Sequence, residues 1–229
     1  GNYALLCAPI FQATPYRIIM TLFSGQNLTC HRGGRIVFEK LDFVLDAGGV
    51  LILVGPNGSG KSSLLRVMSG LLRSVAGAVL WSGEVITDEP EAHNQRLHYV
   101  GHLDAVKPAF TAAENIAFWA GLRDVPADVP AALGAFGICH LAEVPGRLLS
   151  AGQKRRVNLA RIISTPAPLW LLDEPATALD SNALQYLRNA VIHHCDGGGM
   201  VVVSTHVDLV LDGAETMNLA DFKSTETAL

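Results

Sequence analysis

Residues 55–62 read Gly-Pro-Asn-Gly-Ser-Gly-Lys-Ser, which satisfies the pattern GxxxxGK[ST]. Glycines let a backbone fold around an anion with its N–H groups pointing inward. The lysine can reach outer phosphates, and the hydroxyl is a hard oxygen suited to a divalent cation. The chemistry needs a strand before the loop and a helix after it, so that the helix N-terminus faces the phosphate. Val50–Val54 is an unbroken apolar run of the kind expected for a strand buried on both faces, and a helical segment follows. The expected phosphate cradle is Gly55, Pro56, Asn57, Gly58, Ser59, Gly60, Lys61, Ser62 and Ser63. Lys61 would serve the β- and γ-phosphates of a nucleotide, and Ser62 an Mg²⁺ ion.

A second apolar run, residues 169–172, ends in Asp173 and Glu174. Two carboxylates at the carboxyl edge of a parallel sheet lie on the side where phosphate loops open. Asp173 fits the Mg²⁺ shell, and Glu174 is placed to polarise an attacking water as general base. His206 follows a third apolar run, residues 201–204. Leu149-Ser150-Ala151-Gly152-Gln153 precedes three basic residues and an apolar helical stretch. Ser150 is a good helix N-cap, and an N-terminus so capped presents the same donors that a phosphate would use.

These residues need a parallel sheet to carry them. Besides the three buried strands, residues 22–30, 36–44 and 78–86 are β-rich, residues 111–163 are mostly helical in pattern with Pro126, Pro130 and Pro145 dividing them, and residues 181–194 form a further helix. Residues 1–19 read as an extension outside the fold, with Met20 opening the readable pattern; nothing is legible after Asp212. The net charge of −4 gives no basic stripe and so argues against nucleic acid or an anionic membrane surface as direct partner. No apolar run approaches the ~20 residues of a membrane span. Cys7, Cys30, Cys139 and Cys195 show no zinc or haem-attachment spacing and read as free thiols used for packing.

From residue 20 onward the chain resembles the ABC (ATP-binding cassette) ATPase family. That resemblance implies an α/β fold: a P-loop nucleotide-binding core, an antiparallel β subdomain and an inserted helical subdomain at about 102–163, all within a domain spanning 20–229. It further implies a homodimer in which Ser150, Gly152 and Gln153 of one copy meet the γ-phosphate of ATP held on the phosphate loop of the other. Asp180, in Ala178-Leu-Asp180, matches the loop that crosses that interface, and His206 the histidine that contacts the γ-phosphate; the expected catalytic set is Glu174, His206 and Lys61. Two positions depart from the family pattern. His102 stands where a glutamine usually senses Mg²⁺, and an imidazole can ligate a metal-bound water or contact the phosphate chain. Arg32 stands roughly where an aromatic ring usually stacks on adenine, and a guanidinium plane can do the same.

Residues 99–102 (Tyr-Val-Gly-His), 106–119, 149–153 with their basic tail, and 28–35 together look like CcmA-type ATPase subunits of cytochrome c maturation systems. Within that group the implied role is peripheral, on the cytoplasmic face of the bacterial inner membrane. The subunit docks there on integral CcmB- and CcmC-type subunits and touches the membrane only through them. ATP hydrolysis there helps release the haem-loaded CcmE-type chaperone, in older terms haem export, with no haem site expected on the ATPase itself. The alternatives are an ATPase subunit serving another cargo and a nucleotide-binding regulatory module that does not hydrolyse.

Overall fold

The computed structural model describes residues 23–223; the extension expected at residues 1–19 lies outside them. Strands β1 (Phe23–Arg32) and β2 (Arg35–Leu45) form an antiparallel hairpin turning at Gly33 and Gly34. Strands β4 (Ala76–Trp81) and β5 (Glu84–Val85) extend it to a four-stranded sheet of order β2-β1-β4-β5. The β-rich stretch 78–86 thus divides at Ser82 and Gly83, both at positive φ, the two-residue loop whose twist suits a hairpin.

The second sheet has the order β6-β7-β8-β3-β9, built from β3 (Val50–Val54), β6 (Leu97–Val100), β7 (Leu169–Asp173), β8 (Met200–Ser204) and β9 (Glu215–Asn218), every pair parallel. Its apolar strands alternate between two cores. Val50, Trp170, Leu172, Val201 and Val203 face one layer, while Leu51, Leu53, Leu169, Leu171 and Val202 face the other. This is why the runs are continuous rather than alternating in sequence: both faces are covered. The first layer holds α3 (Ala112–Gly121), α4 (Val129–Ala135), α5 (Ala151–Ala160) and α6 (Ser181–Asp196). The second holds α1 (Lys61–Met68) and the antiparallel sheet, centred on Phe23, Phe38 and Phe43.

Local signals set the helix starts. Thr111 caps α3 in a reciprocal capping box with Glu114, Ser150 does so for α5 with Gln153, and Asp180 caps α6 by accepting from the Ala183 N–H. Helices α3, α4 and α5 pack on one another within the stretch expected to be helical.

Two elements were not anticipated. Helix α2 (Pro90–Arg96) is a short polar segment with only His93 buried, and β9 lies in the tail beyond Asp212. β9 carries the sequence Glu-Thr-Met-Asn with no fully buried residue, so it has no apolar period; its place comes from parallel pairing with the open edge of β3. Among the described residues no helix is long and apolar enough to cross a membrane. Cys30 and Cys195 are free, whereas Cys139 is disulfide-bonded, so the expectation of four free thiols does not hold; Cys7 lies outside the described residues.

Candidate functional site

The loop from Gly55 leaves the carboxyl end of β3 and enters α1 at Gly60, which occupies the N-cap in a left-handed conformation with no side-chain cap. The first N–H groups of α1 therefore have no capping side chain. Two glycines are required sterically as well as conformationally. At Gly55 (φ 133°) a Cβ would sit 2.9 Å from Ser59 Oγ and 3.2 Å from Asn218 Oδ1, and at Gly60 (φ 108°) it would sit 2.6 Å from Val37 Cγ1. Lys61 Nζ donates to the Gly55 carbonyl at 2.8 Å and thus lies across the mouth of the loop. Ser59 Oγ is buried without a partner, an orphaned hydroxyl inside the cradle. Open helix-end N–H groups, a glycine-lined turn and a cation at its mouth fit a nucleotide's phosphate chain.

Strand β7 delivers Asp173 and Glu174 beside this loop. Asp173 is 1% exposed; its Oδ1 accepts from Ser62 Oγ at 3.0 Å and from Ser204 Oγ at 2.8 Å. One hydroxyl and one carboxylate, with no cluster of three or more His, Cys, Asp or Glu side chains among the described residues, suit Mg²⁺, which keeps most of its shell as water and substrate phosphate. Glu174 is in a left-handed conformation (φ 48°). Its N–H is held by Ser204 Oγ at 2.9 Å and by the Ser204 carbonyl at 3.1 Å. Its Oε1 lies 4.0 Å from Lys61 Nζ and 3.3 Å from His206 Nε2. His206 Nε2 is also 3.1 Å from Asn57 Oδ1 and 3.3 Å from Lys61 Nζ. The structure thus brings together Asn57, Lys61, Ser62, Asp173, Glu174 and His206 from three separate segments.

Ser150 and Gln153 are joined in the α5 capping box: Ser150 Oγ accepts from the Gln153 N–H at 3.2 Å, and Gln153 Oε1 accepts from the Ser150 N–H at 2.8 Å. Gly152 passes so close to the loop after β7 that a Cβ would sit 2.9 Å from the Ala178 carbonyl. Ala151, the departure from a glycine, is the first residue of α5 and is not among the positive-φ positions, so alanine fits there without strain. Asp180 Oδ1 is taken up by the Ala183 N–H at 2.7 Å. Arg32 and His102 are both exposed, and neither forms a hydrogen bond to the phosphate loop.

Three side chains in this region are not singled out by the sequence analysis. Ser204 bridges Asp173 to Glu174; a hydroxyl closing an otherwise apolar strand was the available clue. Asn218 meets Gly55 from β9. Arg155, one of three consecutive basic residues, turns inward to 2% exposure.

Comparison with known proteins adds to this geometry. A family model described as "ABC transporter" matches residues 38–177. A "Cytochrome c biogenesis ATP-binding export protein CcmA" of Paramagnetospirillum magneticum is 54% identical over 209 residues, spanning 89% of this chain and 96% of that protein. A protein of the same description from Rhodospirillum rubrum is 54% identical over 202 residues, spanning 88% and 87%. Among solved structures, an ATP-binding subunit of an ABC transporter superposes with a TM-score of 0.74 at 24% identity, covering 81% of this chain and 80% of that one. An ATP-binding cassette in its ADP conformation superposes at 0.72 and 22% identity, covering 87% and 88%. At those identities the two structures establish the fold, an α/β P-loop domain with an added antiparallel sheet.

Proposed function

The chain belongs to the ABC transporter ATP-binding family and is an ABC-type ATPase, and from that membership we propose that it powers a cytochrome c biogenesis exporter, as the names of its relatives describe. In this reading residues 55–63 hold the phosphates of ATP, with Lys61 turning from the Gly55 carbonyl to the β- and γ-phosphates. Ser62 and Asp173 hold Mg²⁺, which when bound neutralises phosphate charge. Glu174 is the general base for the attacking water. His206 orients the Glu174 carboxylate and contacts the γ-phosphate. Arg32 stacks on the base, and His102 stands in for the metal-sensing glutamine. The observation that carries the catalytic assignment is the position of Glu174 Oε1, within 3.3 Å of His206 Nε2 and 4.0 Å of Lys61 Nζ at the mouth of the loop.

One chain carries a single set of these motifs, so two copies pair, Ser150, Gly152 and Gln153 of each closing on the ATP of the other and Asp180 lying at the crossing. The helical portion at about 102–163 faces CcmB- and CcmC-type membrane subunits on the cytoplasmic side, and hydrolysis drives release of a haem-loaded chaperone. A cleft of about 500 Å³ supports a docking place for the membrane partner; His98, Tyr99, Trp119, Arg123 and Arg161 are among its lining residues, which include no carboxylate.

The test is affinity capture of tagged Glu174→Gln with Mg-ATP from solubilised membranes, with partners identified by mass spectrometry. Recovery of CcmB- and CcmC-type subunits is the expected result. A different permease would overturn the choice of machine and leave the ATPase assignment standing.

A further inference from the structure

Arg155 sits on α5 two residues after Gln153, yet its side chain ends beneath the catalytic carboxylates. Its guanidinium spends all five N–H donors. Nε donates to the Pro175 carbonyl at 3.2 Å, and Nη2 donates to the carbonyls of Asp173 at 3.1 Å and Glu174 at 2.7 Å. Nη1 donates to the Gly101 carbonyl at 3.1 Å and to Asp104 Oδ1 at 3.2 Å. Three consecutive carbonyls at the end of β7 are therefore gripped by one rigid plane, whose other edge holds the loop that follows β6.

The middle residue of the gripped segment is Glu174, whose left-handed backbone a non-glycine residue keeps only where the surroundings over-determine it. Ser204 fixes its N–H from one side; Arg155 fixes its carbonyl from the other. Turning this residue to an extended conformation would move the carboxylate away from His206 and Lys61.

We propose that Arg155 is a positioning residue for hydrolysis: it sets the backbone of Glu174 and so aims the carboxylate, and through Asp104 it makes that aim depend on the loop carrying His102. The inference rests on Glu174 being the general base. It assigns Arg155 no contact with nucleotide, so binding and chemistry separate. Lysine cannot replace it, because an ammonium is a point charge with three donors and no fork.

The experiment measures ATP turnover by the full chain carrying Arg155→Lys, alone and combined with Glu174→Gln. Alone, Arg155→Lys is expected to lower kcat by about 10²-fold, the scale of a 1 Å misplacement, with KM for ATP unchanged. On the Glu174→Gln background it is expected to lower the residual single-turnover rate no further, since it acts through the base already removed. A rise in KM matching the fall in kcat, or an equal loss on both backgrounds, would overturn the proposal in favour of a general structural role. A wild-type rate for Glu174→Gln alone would instead sink the base assignment, whatever Arg155→Lys does. Should Arg155→Lys fail to fold, Asp104→Asn decides. It removes only the charged partner, and a smaller loss in kcat at constant KM is expected, with an unchanged kcat counting against the proposal.

Discussion

At the residue scale, Ser150 meets two demands with one hydroxyl. It caps α5 by accepting from the Gln153 N–H, and in the proposed dimer it faces a γ-phosphate. Losing the cap costs about 1 kcal/mol, which in a chain of this size lowers Tm by about 2–4 °C. Ser150→Ala is therefore expected to lose both that stability and ATP turnover, whereas Ser150→Asn, which can still cap, should recover the Tm without recovering turnover. Thermal melting followed beside an ATPase assay checks both. The capping role was legible from the residue type and the Ser-x-x-Gln spacing, because capping is local. The inward turn of Arg155 was not: Lys154, Arg155 and Arg156 are equivalent as types, and only the helix phase shared with buried Asn158 and Leu159 distinguishes the middle one.

At the element scale, β6 and α6 each carry an imidazole into the margin of the parallel sheet. His98 Nε2 donates to the Thr165 carbonyl at 2.9 Å, and burial, with Arg123 and Arg161 nearby, lowers its pKa to about 3. His194 stacks on Trp170 with ring centroids 3.8 Å apart, and burial lowers its pKa to about 4. The unfolded chain takes up these protons as the pH drops below about 6.5, while the folded chain refuses them until about 4 and 3. Stability is thus complete above pH 6.5 and is lost progressively as pH falls from there through the folded values. By pH 5 each ring costs about 2 kcal/mol. Urea unfolding at pH 7 and pH 5 should show the loss, and His194→Phe, which keeps a ring against Trp170, should remove roughly half of this contribution. Strands with continuous apolar runs were readable because burial on both faces leaves no alternative residue type. Helix α2 and β9 were not, because partners elsewhere in the chain hold them in place rather than any period of their own.

At the scale of the whole molecule, the proposed pairing sets the phosphate loop of one copy against the Ser150 helix end of the other. Glu174→Gln is expected to sediment as a monomer without nucleotide and as a dimer with Mg-ATP, while the double variant carrying Lys61→Ala as well stays monomeric in both. Analytical ultracentrifugation checks this, and a nucleotide-independent dimer would count against pairing through ATP. The contiguous motifs made the ATPase legible from sequence, since each lies within a few residues of chain. What the sequence withheld is what joins them: Ser204 to Asp173, Arg155 to Glu174, Asn218 to Gly55, contacts between distant residues that only the folded sheet defines.

The order of strands in the parallel sheet also has a consequence in time. The strand that launches the phosphate loop, β3, has β8 and β9 as its two neighbours, and a ribosome makes both long after Gly55. Until residues 200–218 emerge, β3 has neither edge paired, and the loop lacks the Asn218 side that closes on it. A partly made chain therefore carries β3 with both edges unpaired, an apolar strand open to association with other chains until synthesis reaches its neighbours.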